Sequence, residues 1–289
     1  MDVIANQLFA GLSMASILLM IALGLAIIYG AMGVINLAHG EVVMLGAYAT
    51  WALQSFGGIG ILPALPLVFV AVAAVGWIIE KAVVQNLYHR PLDTLLVTFG
   101  VGLVLQQLAR DIFGAPAKNV FAPPWLSGGI EIFGAVVPKT RLFILVLAIA
   151  CVTALAVALK ASPMGRRIRA VVQNRDLAET SGISSRRTDI TTFFIGSGLA
   201  GVAGVALTLI GSTSPTIGQS YLIDAFLVVV VGGLIEVGAH YCTHRLADRL
   251  GQLNIPATFD FTETGTHSWP YWVEQLPKSW PTLAGSLGI

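Results

Sequence analysis

The chain has 289 residues and a net charge of +1; 11% of its residues are charged, 56% are hydrophobic, and its mean hydropathy is +0.81. A soluble domain carries about 25% charged residues, so this composition excludes an ordinary water-facing surface and marks an integral membrane protein. The near-neutral balance argues against a broad nucleic-acid face, and two distant cysteines, Cys151 inside an apolar run and Cys242, argue against a disulfide framework.

No Asp, Glu, Lys or Arg occurs between Asp2 and Glu41, nor between Glu41 and Glu80. The first apolar stretch is too long for a secretory signal and lacks a basic leader, so it is expected to remain as a membrane helix, about Leu8 to Tyr29. A glycine-rich polar stretch, Gly30 to Glu41, interrupts it, and a shorter apolar piece runs to about Leu53. Further helices are expected at Ile61–Val84, Thr94–Phe113, Leu142–Leu159 and Ile190–Gly211; Ala225–Ile235 is apolar but too short to span alone.

Loop charge sets the orientation. Arg166, Arg167, Arg169, Arg175, Arg186 and Arg187 lie between Lys160 and Asp189, which places that loop in the cytoplasm. Lys81, His89 and Arg90 fall on the same side, two spans away, and the proline-rich Gly114–Thr140 on the outside. Two crossings before Ile61 would put the N-terminus outside.

Three features could carry function. Pro163 to Gly182 reads as one short helix with Ile168, Val171, Val172 and Ala178 on one face and Arg and Gln on the other. It suits either an interfacial helix on anionic lipid or a docking helix for a soluble partner. In the break, Asn36, His39 and Glu41 either line a solute path or form a turn at the cytoplasmic surface with a solvated Glu41. His39 has no second His or Cys at ligand spacing, so no metal site is expected. Gln106 and Gln107, with Thr94 and Thr98 on the same helix, can bond a polar solute or neighbouring helices. Gly196, Ala200 and Gly204 form a small-residue stripe suited to close helix packing.

Gly24–Gly30, Val34–Glu41, Leu45–Tyr48, Gly165–Ala170 and Tyr221–Phe226 followed by Val228–Leu234 occur in an order that resembles the membrane permeases of ABC importers for branched-chain amino acids and urea. The resemblance covers about residues 1–234. Arg90–Gly100 and Leu105–Arg110 look most like the urea branch, with branched-chain amino acids as the alternative substrate. It implies an all-α polytopic bundle in the cell membrane that pairs with a second permease subunit. Two cytoplasmic ATPase subunits would grip the coupling segment within about 162–189, represented by Arg166, Arg167, Arg169, Ala170, Gln173, Asn174 and Gly182. An extracytoplasmic binding protein would deliver the solute. The chain contains no GxxxxGK[ST] signature, so ATP is expected to bind a partner, and this chain to need no cofactor and to be no enzyme.

After Leu234 the permease pattern gives way to a polar tail, where the family would continue with further apolar helices; the bundle is therefore expected to be truncated. Residues 239–288 are similar to the C-terminal end of mycolyltransferase-type esterases, with His267 at the position of the triad base. The absence of a GxSxG elbow leaves a membrane-tethered acyltransferase as the weaker alternative, and no catalytic residue is assigned. The tail, residues 235–289, is expected to be a short soluble appendage.

Overall fold

The computed structural model describes residues 2–232 except 89, 133 and 134. Its contacts divide the chain into Met1–Val228 and Val229–Ile289, and the architecture below is that of the first unit. The tail similarity and His267 lie outside the described residues.

The elements run α1 (Asp2–Met32), α2 (His39–Gly57), α3 (Ile61–Ala82), α4 (Pro91–Phe113), a hairpin β1 (Gly129–Ile132) and β2 (Ala135–Pro138), α5 (Lys139–Ala161), α6 (Pro163–Gln173), α7 (Arg175–Thr180), α8 (Ser185–Thr208) and α9 (Ile217–Gly232). Among the described residues α1, α3, α4, α5 and α8 are long and apolar enough to cross a bilayer. At 1.5 Å per residue a 23-residue helix such as α5 spans about 34 Å, enough for a hydrocarbon core of roughly 30 Å. The fold is thus a polytopic helical bundle. The described part of the expected apolar piece at Ala225–Ile235, up to Gly232, belongs to a helix that already starts at Ile217.

The bundle is built around α8, which packs against α1, α2 and α3. The reason is the small-residue face. A Cβ on Gly24 or on Gly196 would lie 2.5–2.6 Å from the other's carbonyl oxygen, and one on Gly201 would lie 2.8 Å from the Val72 side chain. One on Gly204 would lie 2.7 Å from the Ala47 backbone nitrogen. Lipid tails are as apolar as leucine, so helices in a membrane gain by close backbone approach rather than by hydrophobic burial. The stripe Gly196, Ala200, Gly204 is therefore a packing seam.

The hairpin and α6–α7 sit at opposite ends of α5, because β2 runs directly into its first residue and α6 leaves its last. At the hairpin end, Gln54 near the end of α2 exchanges two 2.8 Å bonds with the Phe121 backbone. Lys118 and Thr213 pair backbone to backbone at 2.8 Å, tying the loop after α4 to the loop after α8. Six arginines crowd the α6–α7 end, which the positive-inside rule assigns to the cytoplasm.

Candidate functional site

Gly33, at φ +65°, ends α1; its N–H caps the Tyr29 carbonyl at 2.8 Å. The chain then doubles back. α2 starts not at a membrane surface but alongside the body of α1, where the His39 ring bonds the Ile21 carbonyl at 3.1 Å. A carbonyl only accepts, so Nε2 carries the proton and Nδ1 is left with its lone pair. Gly24 makes room for this ring, since a Cβ there would lie 3.1 Å from His39 Cε1. Gly24 also faces Gly196, halfway along α8, so the start of α2 lies at mid-depth in the bundle.

The surface-turn reading of the break is thereby overturned: Asn36 and Glu41 are 1% and 2% exposed. Asn36 Oδ1 accepts from the Ala38 N–H at 3.0 Å, turning the chain into α2. Glu41 Oε1 accepts from the Gln106 amide at 2.7 Å. Three side-chain atoms in this six-residue stretch are buried without a partner: Asn36 Nδ2, His39 Nδ1 and Glu41 Oε2. Among the described residues the other such atoms, on Ser13, Tyr48, Glu80, Ser197 and Thr213, are scattered along the chain. Buried polar groups are nearly always paired, so this concentration is unusual.

Two glycine approaches close the break. α4 covers it with a stripe at four-residue spacing: Thr98 Oγ1 accepts from Leu37 N–H at 3.1 Å, Gly102 lies against Ala38 and Glu41, and Gln106 holds Glu41. α9 begins against it, for a Cβ on Gly40 would lie 2.5 Å from the Gly218 carbonyl oxygen. The break between α8 and α9 thus meets the break between α1 and α2. Interrupted helices at membrane depth are where transporters expose backbone and polar groups to a solute.

Of the path residues named from sequence, the structure gathers Asn36, His39, Glu41, Thr98 and Gln106. Gln107 is not among them. It lies one residue on, 100° around the helix, is exposed, and bonds Asp111 Oδ1 of its own helix at 2.8 Å. Gly102 and Gly218 escaped the sequence reading; the four-residue spacing from Thr98 to Gln106 was the signal for the former.

The arginine-rich segment is two helices, not one. Ser162 caps α6 by accepting from the Gly165 N–H at 3.0 Å, and Asn174, extended at φ −158°, caps α7 by accepting from Leu177 N–H at 2.9 Å. Asn174 ends α6 because its side chain competes for the backbone and favours caps over helix interiors. Gly182, at φ +82°, follows α7 as expected of a stop. Ile168, Val171 and Ala178 are buried as the pattern implied, but Val172, in the last turn of α6, is 51% exposed. Gly165 lies on the Leu159 carbonyl, fixing the turn between α5 and α6. Arg166, Arg167, Gln173 and Asn174 are exposed, Ala170 is half-buried, and Arg169, also exposed, donates to the Leu159 carbonyl. The segment therefore presents a basic, polar face outward on a tethered base.

α7 is tied down by charge. Both Arg175 guanidinium nitrogens bond Asp189 of α8, at 2.8 and 2.9 Å. Tyr88, below the Arg175 plane, donates its hydroxyl to Glu80 of α3. Burial, and then the bond to Glu80, raise the Tyr88 phenol above its ordinary range, which keeps it a donor.

Comparison with known proteins agrees with this architecture. The family described as branched-chain amino acid transport system / permease component matches residues 7–244. The high-affinity branched-chain amino acid transport system permease protein LivH of Salmonella typhimurium is 30% identical, with 79% of each chain covered. BraD of Pseudomonas aeruginosa, named the same way, is 30% identical over 79% of each chain. A probable branched-chain amino acid transport permease of Methanocaldococcus jannaschii is 30% identical, covering 77% of this chain and 72% of its own. No solved structure gives a significant match. With its bundle of crossing helices, its mid-depth break and a family match over most of its length, the chain belongs to the permease components of branched-chain amino acid transport systems.

Proposed function

We propose that the chain is the membrane permease of an ATP-driven importer for branched-chain amino acids. The similar proteins are named for these substrates, which favours them over the urea expected from the Arg90–Gly100 and Leu105–Arg110 motifs. The observation that carries the reading is the set of unpaired buried atoms at the break. An amino acid needs a hydrogen-bond acceptor for its ammonium and, a few ångströms away, donors for its carboxylate. Glu41 Oε2 is such an acceptor, and Asn36 Nδ2 such a donor, around one helix start. Urea needs no charge, and a carboxylate kept at membrane depth costs several kcal/mol when nothing pairs with it.

In this reading Asn36, His39, Glu41, Thr98 and Gln106 line the path. Asn36 and Glu41 read the solute's two charges; His39 anchors the start of α2 on α1; Thr98 and Gln106 hold α4 over the break. α4 is the cover that must shift for passage, because these contacts and the stacking of Phe113 on Tyr48 at 4.7 Å attach it to α2. The α6–α7 face, with Arg166, Arg167, Arg169, Ala170, Gln173, Asn174 and Gly182, is the surface a cytoplasmic ATPase grips. ATP binds that partner; a second permease subunit and an extracytoplasmic binding protein complete the system.

The test is reconstitution of the chain with its ATPase, second permease and binding protein in liposomes. ATP-dependent accumulation of labelled leucine, with urea excluded, is the expected result. Accumulation of urea but not leucine would reverse the substrate assignment, and no ATP-dependent uptake of either would remove the permease role.

A further inference from the structure

The short helix α7 has little apolar surface to hold it. Among its six residues only Ala178 is buried, and Leu177 is 64% exposed. Yet it is fixed on several sides by polar contacts. Arg175 meets Asp189, which is 0% exposed, through two parallel bonds of 2.8 and 2.9 Å. The guanidinium lies over the Tyr88 ring, 5.9 Å from its centroid, and Tyr88 bonds Glu80 at the end of α3. Glu179 accepts from the Ser185 hydroxyl at the start of α8, and Arg186 of α8 bonds Gln85 at 2.7 Å. Beside this knot lies a cavity of about 450 Å³, lined among others by Gln85, Arg175, Glu179 and Asp189.

α6, by contrast, has an apolar base: Gly165 lies on Leu159 of α5, Ile168 and Val171 are buried, and the helix packs on α5, α8 and α1. The extended residue Asn174 separates the two helices. A displacement applied to the basic face reaches the membrane core both through the packing of α6 on α8 and α1 and through the bidentate fork between Arg175 and Asp189, the most directional of these contacts. Asp189 sits in the second turn of the helix whose Gly196, Gly201 and Gly204 abut α1, α3 and α2 around the break. Such a seam of backbone contacts is too tight to deform locally, so α8 moves as a body.

We propose that Arg175 and Asp189 form the transmission link of this permease: positioning residues that convert movement of α6–α7 into movement of α8, and so of the break. The inference rests on the permease function proposed above. A planar bidentate fork resists both sliding and rotation, which a lysine, a point charge on a flexible stem, does not. The pair therefore does more than hold α7 in place.

The experiment uses the reconstituted complex and measures leucine uptake and ATP hydrolysis together. The variants are Arg175→Lys, Arg175→Gln with Asp189→Asn, and Ile149→Ala, facing outward on α5, as a surface control. The double variant leaves no unpaired buried charge, and elution of an intact complex with the ATPase is checked for each. Leucine taken up per ATP hydrolysed is expected to fall by about fivefold or more in both test variants, the lower range for coupled sites, while the complex still assembles. The control keeps the wild-type ratio. If the assembled double variant and Arg175→Lys both retain that ratio, the link is overturned while the permease reading stands. If the wild-type complex takes up no leucine, the permease reading falls first and the link with it.

Discussion

α5 and α8 are both membrane helices of similar length, and they sit in opposite environments. α5 has the higher mean hydropathy, 3.0, and only 11% of its most apolar window is buried; α8 has 1.8 and 78%. In water the more apolar helix would be the core. In lipid the rank inverts, because the solvent is itself apolar and the interior goes to the helix with the smallest side chains. Val146, Ile149 and Val157 of α5 face outward, whereas Gly196, Gly201 and Gly204 of α8 touch backbone.

The sharpest way to break this contrast is to add bulk to the seam. Gly204→Leu drives a side chain into the backbone of Val43 and Ala47, and overpacking of this kind costs about 3 kcal/mol or more. Loss of monodisperse protein in detergent-phase size exclusion is the expected outcome; a well-folded variant would deny α8 its central place. Next in size is Arg175→Ala, which strands Asp189. Breaking a buried pair costs about 3–5 kcal/mol, the lower end applying here because Arg175 is one-third exposed. A thermal melt of the purified complex reads this, and an unchanged midpoint would make the pair ornamental.

Smaller again in stability, but large in transport, is Glu41→Gln. It keeps an acceptor for Gln106 and removes the charge, so the melt is expected to move by less than about 1 kcal/mol equivalent. Leucine uptake is expected to drop by about tenfold, the loss of one charge-assisted bond of about 1.5 kcal/mol. Full uptake would remove Glu41 from the path. The smallest effect belongs to α5: Ile149→Ala, facing outward, is expected to stay within about 0.5 kcal/mol of wild type. A large loss there would mean that α5 is covered by protein.

The same contrast explains what could be read from the sequence. Apolar run lengths located α1, α3, α4, α5 and α8 to within a few residues, because the bilayer fixes their length. Arginine placement marked the end of the bundle that carries α6 and α7, and Gly196, Ala200 and Gly204 announced the seam. Which side each helix shows to its neighbours was harder. Nearly every position on these spans is apolar, so amphipathic phase carries little signal. Polar residues were the exceptions. Thr98 and Gln106 share a stripe and Gln107 does not, and that spacing was there to be used. The depth of Glu41 was not legible, because a carboxylate after a glycine-rich stretch reads equally well as a surface turn until His39 is seen on Ile21. The split at Asn174 went unread for a related reason: a cap residue inside an amphipathic run is a weak signal unless the phase beyond it is checked, and Val172 and Ala178 belong to different helices. The Arg175–Asp189 fork joins residues 14 apart across a turn, a pairing that charge counting alone does not single out.

The most direct test of the account is whether solute meets the break. In a complex freed of Cys151 and Cys242, Asn36→Cys is exposed to a small hydrophilic thiol reagent during ATP turnover. Labelling that requires ATP and is slowed by leucine but not by urea is the expected result. A cysteine that never labels during active leucine uptake, or labels at a rate leucine does not change, would place the path elsewhere.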